Sequence, residues 1–185
     1  MANVDGPHGF RPIGHAGGTP GRLNSYGIAT GYGTNIFFGD LVHLVTDGTI
    51  EVAVATQEGV IGVFQGVQFV AADGEPKFEK MWTASTTATS IIALVADDPL
   101  EEFVVQCAGS LALTDMGANA DIITTHAGIV RTGRSRQEVS ASTGTGTAQL
   151  RLLRIFDAPD NSFATANVEV IVRINEHRST NRTGI

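Results

Sequence analysis

The residues that could do chemistry are few and scattered. His8 and His15 stand seven apart in "GPHGFRPIGHAGGTPGR", residues 6–22. Two histidines so placed need one or two more ligands to hold a metal, and His43, His126 and His177 lie in other stretches. Asp97, Asp98, Glu101 and Glu102 crowd around Pro99. The ligand spacing and central glycine of a calcium loop are missing there, so a solvated turn is expected. "GYGTNIFFG", residues 31–39, invites a phosphate-loop reading. A dinucleotide fingerprint requires a third glycine where Ile36 stands, and no helical pattern follows. No GxSxG elbow occurs. Cys107, the one cysteine, sits in the apolar run "EEFVVQCAG" and reads as a small buried hydrophobe. The expectation is therefore no catalytic residue, no cofactor and no metal site.

Composition narrows the class further. The chain has 185 residues, enough for one domain with a real core and no disulfide. Its formal net charge is −7, which lacks the basic footprint of a generic nucleic-acid binder. No apolar run reaches the roughly 18 residues of a membrane span. The start "MANVDGPHGF" has no signal-peptide pattern, so a soluble, reduced protein made inside the cell is expected.

The elements that must position these residues read as strands. "DLVHLVTDGTIEVAVA" is two apolar runs joined by Asp47-Gly48, a strong hairpin signal. "GVIGVFQGVQFV" alternates with glycine breaks, as a bent or bulged strand does. Asp73-Gly74 marks a second turn, with Phe78 and Trp82 expected near the core on the return. "SIIALVADDPLEEFVVQCA" reads as strand, turn and strand. "TGRSRQEVSASTGTGTAQ" is polar and low in complexity, a surface loop in expectation. Leu150 and Leu152 in one late strand, and Val168, Val170 and Val172 in the last, are expected to face inward. Turn signals every 8–12 residues without βαβ alternation predict an all-β protein, a compact β-barrel or sandwich with few short helices.

Residues 1–34 predict an extended glycine- and proline-rich arm, residues 35–175 the β-domain and residues 176–185 a polar tail. Residues 1–39 hold ten of the 22 glycines and three of the six prolines, Pro7, Pro12 and Pro20. Aromatic residues follow directly, which argues for order against a surface rather than a free tail. The expected partner-binding residues are Phe10, Arg11, Ile13 and Arg22 in the arm, with the basic loop Arg131, Arg134 and Arg136. The prolines would lower the cost of ordering the arm.

Several motifs resemble a family of tailed-bacteriophage virion proteins, the capsid decoration or head cement proteins. They are "GPHGFRPIGH", "NIFFGDLVHL", "GVIGVFQGVQF", "DDPLEEFVVQ", "TDMGANADI" and "GTGTAQLRLLRIFDAPDNSF", spread over residues 6–177. The resemblance implies a non-enzymatic β-rich protein on the outer surface of the virion capsid, made in the host cytoplasm. Its partners would be the major capsid protein, whose capsomers it would bridge, and other copies of itself. Many such proteins are homotrimers; others are dimers or monomers. Neither nucleic acid nor membrane is implied. Another virion role (minor head, head–tail connector or tail-tube component) and a carbohydrate-binding β-domain on the particle remain the alternatives.

Overall fold

The computed structural model describes residues 3–18 and 21–180. Thirteen strands and one short 3-10 turn, Leu113–Asp115, make up its regular structure. In chain order the strands are β1 (Arg11–His15), β2 (Leu23–Tyr26), β3 (Leu41–Leu44), β4 (Ile50–Val52), β5 (Val60–Ala71), β6 (Pro76–Glu79) and β7 (Ala88–Ala96). They continue as β8 (Glu101–Gln106), β9 (Asn119–Ala120), β10 (Ile122–Ile123), β11 (Glu138–Val139), β12 (Leu150–Ile155) and β13 (Glu169–Ile174).

The strands form two main sheets. One runs β1-β8-β13-β12-β9; the other runs β2-β7-β5-β3-β4, with β6 joined to β5. All the ladders are antiparallel, including the small β10–β11 pair. The protein is all-β, as expected, and of the two architectures it is the sandwich. The second sheet curls, and a single bridge between Gly27 and Thr49 spans its open side, so the barrel is not closed.

Two cores result. Between the sheets lie Leu41, Val60, Val63 and Ala96 from one, against Phe103, Val105, Leu150, Leu152, Val170 and Val172 from the other. Inside the curl lie Val42, Ile50, Phe64, Val67, Phe69, Ala93 and Val95, capped by Ile36 and Trp82. Trp82 stacks edge-on against Phe69, with ring centroids 5.7 Å apart. β5 therefore serves both cores, through register shifts between Phe64 and Gly66 and between Gln68 and Val70. Gly62 lets β5 and β7 approach: a Cβ there would lie 2.2 Å from the Ala96 carbonyl oxygen.

Several expected turns are in place. Asp47-Gly48 joins β3 to β4, with Gly48 at φ +84° and the Thr49 N–H donating to Asp47 Oδ1 at 2.9 Å. Asp73-Gly74 joins β5 to β6. The corner at Pro99 is a crossover, since β7 and β8 belong to different sheets.

The N-terminal segment departs from expectation. It does not stand off as an arm. β1 pairs with β8 at the edge of the first sheet, and β2 pairs with β7 at the edge of the second. Phe10 is 0% exposed and packs in the core between the sheets. Its N–H donates to the Gly39 carbonyl at 2.8 Å. Gln106 holds the preceding residues, accepting from Gly6 N–H at 3.0 Å and donating to the Val4 carbonyl at 2.8 Å. The physical reason is that each sheet needs an edge strand and the inter-sheet core needs a large apolar side chain; this segment supplies both. Pro20 lies outside the described residues.

Three smaller expectations also change. Phe78 is 78% exposed because its parity on β6 turns it away from the curl. The polar run after Thr132 is only partly a surface loop: Ser135, Gln137, Glu138 and Gln149 are buried. Gln137 accepts from Leu41 N–H at 2.8 Å and donates to the Ala53 carbonyl at 3.4 Å. Gln149 accepts from Ile122 N–H and donates to the Val54 and Gln57 carbonyls. These amides satisfy backbone groups that no strand pairs. The tail begins docked: His177 bridges Val60, and Arg178 N–H donates to the Val60 carbonyl at 2.8 Å.

Replacing Phe10 with Ala empties a fully enclosed site between the sheets. The expected cost is about 3–5 kcal/mol, read as a lower midpoint in urea denaturation with an unchanged slope. A loss under about 1 kcal/mol would mean that Phe10 is not a core residue in solution.

Candidate partner-binding surface

Five of the seven expected contact residues are exposed, and backbone contacts link their segments into one rim. Phe10 N–H bonds Gly39, Phe38 N–H bonds the Gly133 carbonyl at 2.9 Å, and Ser135 N–H bonds the Phe38 carbonyl at 2.9 Å. The arm and the basic loop, far apart in sequence, thus meet across residues 38–39. Gly9, at φ +71°, makes this possible: a Cβ there would lie 2.4 Å from Ser135 Cβ.

From that meeting point β1 runs along the edge of the first sheet. Arg11 is exposed at its start, and Ile13, 43% exposed, follows at the register shift between Pro12 and Gly14. At its far end His15 Nε2 pairs with Asp98 Oδ1 at 3.0 Å. Gly21 packs against the Glu101 carboxylate there, so exposed Arg22 lies at the same end. Arg134 and Arg131 are exposed on the turn 129–134, beside Val130 at 63%. Arg136 is half-buried, and Phe10 has left the surface for the core, so it is not a contact point.

The rim is partly neutralised from within. Arg11 Nη2 lies 3.8 Å from Glu169 Oε2, and His8 Nε2 lies 3.1 Å from Glu169 Oε1. Burial, and next the Arg11 charge, hold the His8 pKa below its ordinary value. Asp98 is held below the carboxylate range, first by the Leu100 N–H and less by His15. The Arg11–Glu169 contact is long and open to solvent on the Arg11 side, so it adds little stability, and Arg11 loses little by exchanging Glu169 for a partner's carboxylate.

The other chemically suggestive residues serve the fold. Cys107 is fully buried in the inter-sheet core, and burial pushes its thiol up to about 11, far from the thiolate a nucleophile needs. Asp97 accepts from Asn24 Nδ2 at 2.8 Å and from the Tyr26 hydroxyl, which fastens β2 to the end of β7. Burial and then Asp97 raise the Tyr26 pKa. Among the described residues no three His, Cys, Asp or Glu side chains gather as a metal set.

Asp40, which sequence reasoning did not single out, lies beneath the rim. It is buried, and its Oδ2 accepts from Phe37 N–H at 2.7 Å. Burial pushes its pKa up to about 6, against the opposing hydrogen bonds of Ser135 and Phe37. It lines a cavity of about 220 Å³ between Phe37, Ala53 and Gly128, which also meets His126. His126 Nδ1 pairs with buried Glu138 at 2.6 Å. No signal in the linear sequence marks Asp40, because its burial depends on the turn 129–135 closing over it.

No protein-family model, curated protein or solved structure matches the chain.

The Asp40 carboxyl makes stability depend on pH in a defined direction. Its folded pKa lies above its unfolded one, so its contribution is most favourable below pH 4 and is lost as pH rises through about 6. An Asp40→Asn variant has no charge to bury. Its stability relative to wild type should rise by about 2–3 kcal/mol between pH 4 and pH 8. Paired thermal melts across that range test this, and any constant offset from an altered hydrogen bond drops out. A difference that stays flat with pH would refute the assignment.

Proposed function

We propose that this chain is a structural, non-enzymatic virion protein. It binds the outer surface of a tailed-phage capsid, bridges capsomers of the major capsid protein and stabilises the head. The observation that carries this reading is the rim itself. Arg11, Ile13, Arg22, Arg131, Arg134 and Val130 form an exposed apolar and cationic border on the β-sandwich. The resemblance of the motifs over residues 6–177 supports it. So does the employment of Cys107, Asp97 and His15 in holding the fold.

The mechanism asked of such a protein is mechanical. A sandwich with β2 fastened by Asp97 and β1 by the His15–Asp98 pair resists shear. Cationic rim groups meet carboxylates of the shell, and Ile13 and Val130 supply apolar contact. Each contact set is weak, but a lattice of identical sites multiplies it through effective concentration. Self-contacts, such as the trimer found in many proteins of the family it resembles, would add to that avidity.

Deleting residues 2–22 is a poor test, because it removes β1 and Phe10 and so attacks the fold. Point changes on the rim separate binding from folding. Ile13→Asp combined with Arg22→Glu and Arg134→Glu should weaken binding to expanded empty capsids by about a hundredfold, near 3 kcal/mol. The melting temperature should stay within a few degrees. Undiminished binding by the triple variant would overturn the rim assignment. Copy number tests the broader role: decoration requires one set per capsomer joint, whereas a connector ring is present once per particle.

A further inference from the structure

β6 is an edge with an unusual charge pattern. Its ladder with β5 pairs Val67 with Glu79, Gln68 with Phe78, Phe69 with Lys77 and Val70 with Pro76. Ala71 N–H donates to the Glu75 carbonyl at 2.9 Å. In an antiparallel ladder hydrogen-bonded pairs alternate with non-bonded ones. Lys77 and Glu79 therefore turn their backbone groups toward β5, and Pro76 and Phe78 turn theirs outward. Among the described residues no strand pairs that outer edge. Proline stands where an outward N–H would otherwise be unpaired.

The side chains add to this. Phe78 is 78% exposed, by fraction the most exposed large apolar residue described. It borders a cavity of about 190 Å³ lined by Val70, Pro76, Ser90 and Ile92 on the outer face of the sheet. Phe78, Pro76, Val70 and Ile92 together make a continuous apolar patch beside that open edge, the kind of surface that marks an interaction site.

We propose that β6 pairs antiparallel with β6 of a second copy of this chain, about a two-fold axis through Phe78. The register is self-complementary, and this decides the occupant. With Phe78 opposite its own copy, Lys77 faces Glu79 of the second chain, and Glu79 faces Lys77. The Phe78 N–H and carbonyl form the central hydrogen-bonded pair. At each end Pro76 has no donor to leave unsatisfied, and β6 ends at Glu79. The second copy's acidic turn, Asp73 and Glu75, then arrives beside Lys80. Gly133 packs against Lys80, so the turn bearing Arg131 and Arg134 lies at that same end. The two Phe78 rings meet on the outer face over Val70 and Ile92. Pro76 and the four-residue length stop the pairing from growing into an open sheet. The contact is isologous, so it joins copies in pairs. It does not depend on the capsid reading, and a trimer would use other surfaces.

Sedimentation velocity of the full-length protein over a concentration series tests the pairing. The assembling unit should double in mass as concentration rises. Lys77→Glu sets two carboxylates opposite each other on both sides of the axis, and Glu79→Lys sets two ammonium groups there. Each single variant should raise the dissociation constant about tenfold or more. An equimolar mixture of the two variants should recover the doubling, because each hetero-pair restores both opposite-charge contacts. Phe78→Ser, an exposed change that leaves both charges in place, should also abolish it. Circular dichroism and melting temperature confirm that each variant is folded. The proposal fails if wild type shows no doubling, if the single variants associate like wild type, or if the mixture stays dissociated.

Discussion

One strand must satisfy two cores, and the rest of the fold follows from that demand. β5 faces the other sheet through Val60 and Val63 and the interior of its own curl through Phe64, Val67 and Phe69. A sheet with apolar residues on both faces is unstable unless both are covered. The first sheet covers one face. The curl, with residues 28–38 and Trp82 as its lid, covers the other. Each large apolar side chain so buried contributes about 2–3 kcal/mol. The bulges in β5 and the bare Cα of Gly62 are the local means by which one strand changes sides without a break in pairing to β7.

Two sheets of this kind leave edges, and edges invite unwanted pairing. The N-terminal segment closes one edge of each. β1 does so with Pro12 and a register shift between Pro12 and Gly14, both of which spoil its outer side as a template. β2 does so with Asn24 and Tyr26 bound to Asp97. The segment is thus structural first. Its outward side chains form the rim only because its inward side chains are committed. β6, by contrast, has an outer edge that no strand among the described residues pairs, and an exposed Phe78.

The strand elements are legible in the sequence because they rest on local chemistry. Asp47-Gly48 and Asp73-Gly74 specify turns wherever they stand, and Val168, Val170 and Val172 alternate as a half-buried strand must. Leu150 and Leu152 are legible too, whereas only the register shift between Leu152 and Arg154 explains why Ile155 rather than Arg154 faces inward. The N-terminal segment misleads because glycine and proline report backbone permissiveness, not whether the surface covered belongs to self or to another chain. Phe10 looks like an anchor and is one, but its socket is in its own core. Gln106, Gln137 and Gln149 stay hidden for a related reason. A glutamine that replaces a missing strand looks, in sequence, like one that faces water. Arg11, Ile13, Arg22, Arg131 and Arg134 are legible as exposed contact candidates, but their assembly into one rim depends on the meeting of residues 9–10, 38–39 and 133–135.

Charge placement bears on the docking proposed for the rim and for β6. The chain carries −7 overall, so copies and other anionic bodies repel at distances beyond about one Debye length, near 8–10 Å at physiological salt. Inside that distance the local pattern governs. The cations of the rim and the alternating Lys77 and Glu79 of β6 then offer attraction only in particular orientations. A field that is repulsive at long range and attractive in one register lowers nonspecific clustering without weakening specific docking. A protein in the proposed role, crowded at high density on a curved surface, would have this requirement: its copies must tolerate close neighbours while engaging only the correct one.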